Sequence, residues 1–241
     1  MASPSEVLKD VEAYVFDVFG TVVNWHGNIT KQLAAAAPEG VDEGTGTPLP
    51  TNGGQHSLNI GGEGTTNMDV VHRQTLDNLL TTPRWKHLAS HWDDAKRHEL
   101  VMSWHKAQGW PDAPKGLYAL KQNAIVVALS NGNLRFLVDL AKNGDLPWDA
   151  VFSVEFFGTC KPNPQVYLGA LHHLNLPGEK CAMVASHLWD LKAAAEHAGM
   201  KTIYVPRLTE DLEDREGVKS KAGGGEVDIV VNSFEELAAL L

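Results

Sequence analysis

Cysteine is nearly missing from this 241-residue chain: it has only Cys160 and Cys181, and no C-x-x-C pair. That excludes a disulfide framework and a thiol redox motif, and it points to a reducing, cytoplasmic setting. Long apolar runs are missing too, since none approaches the roughly eighteen residues of a spanning helix. The opening stretch, "MASPSEVLKDVEAYV", lacks the basic and apolar regions of a signal peptide. Positive charge is scarce, with 20 Lys+Arg against 30 Asp+Glu and a net charge of −10. With no basic run, nucleic acid and anionic membrane are excluded as main partners, because phosphate binding needs clustered cations. No G-x-S-x-G, no Walker loop and no G-x-G-x-x-G after a strand occurs. His172 and His173 lie within a helical stretch, with no third metal ligand at a recognisable spacing.

What is present is a strand–helix alternation, with 43% hydrophobic residues. That content and length suit one large domain or a core with an insert. Apolar runs at 13–20, 124–132, 151–157, 181–186, 202–207 and 227–233 end in turn residues, as buried parallel strands do. Between the later ones, "LRFLVDLAKNG", "NPQVYLGALHHLNL" and "LWDLKAAAEHAGM" carry helical apolar spacing. The repeat predicts right-handed crossovers and an α/β, Rossmann-like, doubly wound parallel sheet.

The first half breaks the alternation. After the first strand come a helix near 28–37, a Gly-, Thr- and Pro-rich stretch over 38–67, and helices near 68–80, 84–90 and 92–107. The expected organisation is a core of 1–24 and 112–241 with a helical cap at 25–111, placed over the crevice at the strands' carboxyl ends. Trp85, His87, His91, Trp92, His98, Trp104, His105 and Trp110 are expected to pack that cap or to line an apolar pocket for a small organic acid.

Four polar clusters fall at predicted strand ends. They are Asp17 with Thr21 in "DVFGT", Ser130 and Asn131 in "LSNG", Lys161 and Tyr167 in "CKPNPQVY", and Ser186, His187 and Asp190 in "SHLWD". Each alone reads as a turn, a cap or a solvated loop. Together they occupy the one rim where open α/β sheets bind ligands.

In these four motifs, and over nearly its whole length, the chain resembles the haloacid dehalogenase superfamily. The resemblance makes Asp17 a nucleophile. Superfamily phosphatases carry a second acid two residues on, where this chain has Phe19, and tend to carry paired acids in the last motif, where Ser186 stands in place of the first. A phosphoryl transferase needs such carboxylates to hold Mg²⁺. Losing them suits the metal-free L-2-haloacid dehalogenase branch, similar in D-x-[YF]-G-T, where a carboxylate displaces halide and no proton donor is required.

This resemblance implies conversion of short (S)-2-haloacids to (R)-2-hydroxy acids through an aspartyl ester, without metal or organic cofactor. It further implies that Lys161 neutralises Asp17, that Thr21 and Ser130 hydrogen-bond its carboxylate, and that Asp190 anchors Lys161 and, with His187, orients or deprotonates water. Val18, Phe19, Asn131 and Tyr167 are expected around the substrate. The partners implied are a small organic acid and halide, with a homodimer as the common assembly of the branch. The branch's substrate-binding arginine has no obvious counterpart. His26 occupies its place in "NWHG", and Arg73 is the next candidate. Three other readings stay open: opening of a small epoxy-dicarboxylate by the same nucleophile, a Mg²⁺-dependent phosphatase, and a non-catalytic binding protein on the same scaffold.

Overall fold

Continuous apolar runs become the strands of a single parallel sheet. The computed structural model describes residues 3–38 and 67–241. Its strands are β1 (Ala13–Phe16), β2 (Ile125–Ser130), β3 (Ala150–Ser153), β4 (Cys181–Ala185), β5 (Lys201–Tyr204) and β6 (Ile229–Val230). Their order is β3-β2-β1-β4-β5-β6, and every pairing is parallel. All four residues of β1 and all five of β4 are buried, as expected of strands covered on both faces. Because β2 and β4 flank β1 on opposite sides, the chain reverses its direction of winding there. The crevice that results opens at the carboxyl end of β1.

The helices of the sheet layer are α1 (Pro4–Leu8), α5 (Ala113–Lys121), α6 (Leu134–Asn143), α7 (Pro164–Leu174), α8 (Leu188–Ala198) and α9 (Phe234–Ala238). Between β1 and α5 lie α2 (Trp25–Ala36), α3 (Met68–Leu79) and α4 (Asp94–Met102). These three share an apolar cluster of their own, including Leu76, Leu79, Trp85, Leu88, Trp92 and Leu100. Two further clusters cover the two faces of the sheet. No helix among the described residues is long and apolar enough to cross a membrane. Of the Gly-rich stretch, 39–66 lie outside the described residues.

Where elements end is decided by side chains that compete for backbone groups. The run at 151–157 leaves the sheet at Ser153, whose hydroxyl accepts from Glu155 N and starts a 3-10 turn over Val154–Phe156. The run at 227–233 pairs over only Ile229–Val230, and Ser233 then caps α9. Helix α2 begins earlier than expected, because Asn24 caps it through Gly27 N. The stretch 84–90 makes only one 3-10 turn, Lys86–Leu88. Ser103 bonds back to Leu100 O where α4 gives way to another such turn. Three helices were not anticipated: α1, α5 and α9.

Candidate active site

Asp17 follows the last residue of β1, where the chain leaves the sheet. Its backbone N–H still donates to Val184 O of β4, so the strand register fixes its Cα. Gly20 then turns the chain at φ +80°, a left-handed conformation open to glycine at little cost. The turn brings Thr21 back beneath the carboxylate. Thr21 Oγ1 donates to Asp17 Oδ2 at 2.7 Å and accepts from Ser186 N at 2.9 Å, coupling the β1 turn to the β4 turn.

Two cations hold the acid. Lys161 Nζ donates to Asp17 Oδ1 at 2.8 Å and to Asp190 Oδ2 at 2.5 Å, and is only 1% exposed. Its backbone is fixed by Asn131, whose Oδ1 accepts from Lys161 N at 2.8 Å. His187 Nδ1 lies 3.1 Å from Asp17 Oδ2, and its Nε2 lies 3.0 Å from Glu210 Oε2. Glu210 is held in turn by Trp25 Nε1 at 3.1 Å and Thr209 Oγ1 at 2.7 Å, both on Oε1. Asp190, in the first turn of α8, accepts from Tyr167 OH at 2.6 Å.

These contacts set the charges. Burial alone would push the Asp17 carboxyl up. The charges and hydrogen bonds of Lys161 and His187 outweigh it and hold the group well below the ordinary carboxylate range. Burial works against a charged His187, but the hydrogen bonds and charges of Asp17 and Glu210 prevail and push it up to about 10. His187 is therefore an imidazolium at neutral pH. Lys161 is likewise raised, its burial outweighed by Asp17 and Asp190. Asp190 itself is raised, by burial first and by the nearby charge of Asp17, although Lys161 and Tyr167 oppose this.

A cavity of about 180 Å³ opens onto this array. Asp17, Lys161, His187, Glu210 and Asn131 form its polar floor. Phe19, Trp25, Ile29, Leu76, Trp104 and Trp189 are among its apolar walls. His72, Trp104 and Trp25 stack in series, with ring centroids 3.8 and 5.5 Å apart. Burial, then the charge of His105, pushes His72 down to about 3, so it stays neutral. Of the expected pocket aromatics, only Trp104 lines the cavity. Trp85 and Trp92 pack the apolar cluster shared by α2, α3 and α4, and Trp110 Nε1 donates to Gly20 O at 2.7 Å.

Several expected roles change. Ser130 lines the cavity, but its Oγ accepts from Gly132 N and makes no hydrogen bond to Asp17, because the turn after β2 claims it. Asn131 lines the cavity while clamping the Lys161 backbone. Phe19 faces the cavity; Val18 does not, and packs in the core cluster. Tyr167 is wholly buried behind Asp190 and does not reach the cavity. Asp190 does not reach it either: both oxygens are taken, by Lys161 and Tyr167, so it cannot deprotonate water there. His26 lies outside the lining, its ring edge against Trp25. Arg73 also lies outside it, drawn away by Asp77 and Asp94 at 2.9 and 2.6 Å. Lys161 and His187 are the cationic side chains among the described lining residues, and 39–66 contain neither Lys nor Arg.

Glu210 and Trp25 were missed. Glu210 sits three residues past the end of the 202–207 run, on the same rim as the other clusters. Its sequence signal is that place after a fifth strand end, in a stretch crowded with other acids.

The sequence model of the haloacid dehalogenase-like hydrolases matches residues 11–198. (S)-2-haloacid dehalogenase 1 of Pseudomonas sp. (strain CBS-3) is 31% identical over 120 residues, which are 48% of this chain and 52% of that one. That alignment therefore spans about half of the relative's length. (S)-2-haloacid dehalogenase H-109 of Pseudomonas putida is 26% identical over 209 residues, covering 83% of this chain and 88% of that one. The crystal structure of the defluorinating L-2-haloacid dehalogenase Rha0230 superposes with a TM-score of 0.79 at 31% identity, covering 100% of this chain and 98% of that one. Sheet order, strand-end site and these matches agree: the chain belongs to the haloacid dehalogenase-like hydrolases.

Proposed function

We propose that the chain hydrolyses the carbon–halogen bond of short (S)-2-haloacids, with Asp17 as nucleophile. The observation that carries this reading is an ionised, nearly desolvated carboxylate on the floor of a small apolar cavity. Such an oxygen is poorly solvated and therefore reactive towards an sp³ carbon. Attack on the α-carbon forms an ester and inverts the centre. Halide departs without a proton, which fits Phe19 at the position where a phosphatase carries an acid. Hydrolysis of the ester then gives the (R)-2-hydroxy acid. Lys161 balances the charges of Asp17 and Asp190 from the space between them, and Phe19 and Ser186 stand where a phosphatase carries further acids, which supports metal-free chemistry. With only two cysteines, both buried, the chain fits a reducing compartment, and we place the reaction in the cytoplasm.

Chloride release from each enantiomer of 2-chloropropionate, measured in EDTA beside Asp17→Asn, tests the reading. Release from the S enantiomer alone, lost in the variant, is expected. Release by folded Asp17→Asn, or none by the folded wild type, would overturn it. One observation favours a second substrate class. Opening an epoxide generates an alkoxide and needs a proton donor, and of His26, His187 and Tyr167 only His187 lines the cavity, where it is protonated. Consumption of an epoxy-dicarboxylate without halide release would select that alternative.

A further inference from the structure

We propose that His187 is the base that activates water against the Asp17 ester, and that Glu210 is the positioning residue that orients it. The proposal rests on the dehalogenase reading, which supplies the ester. Geometry selects His187. A base for this step must reach both the cavity and the Asp17 carboxyl carbon. Asp190 fails, being enclosed by Lys161 and Tyr167 behind the nucleophile. His187 faces the cavity with its side chain 17% exposed and lies against Asp17. Glu210 also lines the cavity, but Oε2 is committed to His187 and Oε1 to Trp25 and Thr209. Its clamped carboxylate fixes the imidazole plane, as the orienting third group does in other nucleophile–base arrays. The Leu188 N–H bond to Asp211 further fixes the backbone beside His187.

Alkylation itself arms the base. While Asp17 is ionised, His187 faces two anions and keeps its proton, which prevents it from acting early. Ester formation removes one of them. What then faces the imidazolium is Glu210, with Asp211 at the next residue and the Lys161–Asp190 pair behind the ester. Burial, which favours the neutral ring, is then opposed by one close carboxylate instead of two.

The atoms balance. Asp17 forms a C–O bond as the C–halogen bond breaks, releasing halide. His187 loses its Nδ1 proton to solvent, the proton that net hydrolysis must liberate. Water then gives a proton to Nδ1 while its oxygen bonds to the Asp17 carboxyl carbon. The ester C–O bond breaks, and the departing alkoxide takes the proton from Nδ1. Finally the re-formed Asp17 carboxylic acid passes its proton to His187, restoring the ion pair.

Rapid mixing with (S)-2-chloropropionate tests this, with chloride counted and intact protein mass followed after acid quench. Wild type is expected to release many chlorides per site with little adduct. His187→Gln should release one chloride per site and then stall as an adduct of the substrate less its halide. Its ester should decay about a hundredfold or more slowly, the scale of general-base catalysis. Glu210→Gln should keep the first chloride burst and slow ester decay about tenfold, within the range of a lost oriented hydrogen bond. The pH at which its ester decay is half-maximal should fall, because one anion no longer supports the imidazolium. That shift is not what a purely structural defect produces. Folded His187→Gln that turns over without adduct, or that loses the first burst, would overturn the proposal, as would Glu210→Gln with an unmoved decay profile. Absence of chloride from the wild type itself would instead sink the dehalogenase reading.

Discussion

A carboxylate that attacks carbon must stay ionised with almost no water to solvate it, and each residue around Asp17 serves that requirement. Lys161 supplies the charge, Thr21 a neutral donor, and His187 a second charge whose strength depends on Glu210. Asp190 keeps Lys161 in place, and among the described residues Tyr167 is the side-chain donor on the far oxygen of Asp190. Tyr167→Phe leaves that buried oxygen bare, at about 1–3 kcal/mol of stability. The urea midpoint should fall accordingly, and halide release should weaken as Asp190 pulls harder on Lys161. An unchanged midpoint and rate would show that Asp190 needs no second donor. Most of these residues were legible because each closes an apolar run, where a polar side chain stands out. Glu210 was not, because it lies in "RLTEDLEDREG", where acids crowd and none is conspicuous. Arg73 and His26 were misjudged for the converse reason. The resemblance offered them for the branch's substrate-binding arginine, while Asp77, Asp94 and Trp25 decide where their side chains rest.

Between elements, the site is assembled from strand-end turns that lock to one another. The β1 turn bonds to the β4 turn through Thr21, and Arg207 beyond β5 reaches back to Thr21 O at 2.9 Å while pairing with both oxygens of Asp112. Gly20 is where the β1 turn meets the loop carrying Glu210. A Cβ there would lie 2.4 Å from Glu210 Cδ, on a backbone at φ +80°. Gly20→Ala therefore displaces Glu210 and strains the turn, at about 1–3 kcal/mol. Its expected signature is a lower melting temperature together with the slow ester decay of Glu210→Gln. Fast ester decay in a folded Gly20→Ala protein would show that the loop accommodates the methyl group. The six strands were readable because buried parallel strands need unbroken apolar runs; their ends were not, because Ser153 and Ser233 redirect the backbone by hydrogen bonding. Helix α5 was hidden by Pro114 and Gly116. The proline sits in the first turn, where it is tolerated, and the glycine admits Phe234, whose Cβ would stand 2.3 Å from a Cβ at that position.

For the molecule as a whole, the site couples folding to pH through His187. Its ordinary value is 6.5, and in the folded protein it rises to about 10. The folded state therefore binds this proton more tightly than the unfolded chain. The resulting stability is fully present below 6.5 and is lost as pH rises through about 10. Asp17 works in the opposite sense: its folded value is depressed from 3.8, so its contribution is present above that pH and lost in stronger acid. The two together leave a stability maximum on the acid side of neutrality, even as ester hydrolysis demands that His187 let its proton go. Melting temperatures of wild type and His187→Gln, measured side by side from pH 6 to 10, isolate the histidine, because groups common to both cancel in the difference. The wild-type advantage should be largest near pH 6 and shrink steadily to about pH 10, where the unfolded imidazole is neutral and the folded one is about half so. A difference that stayed constant across that range would mean that His187 carries no extra proton in the folded state. The two carboxylates beside it would then be acting only as hydrogen-bond acceptors from a neutral ring.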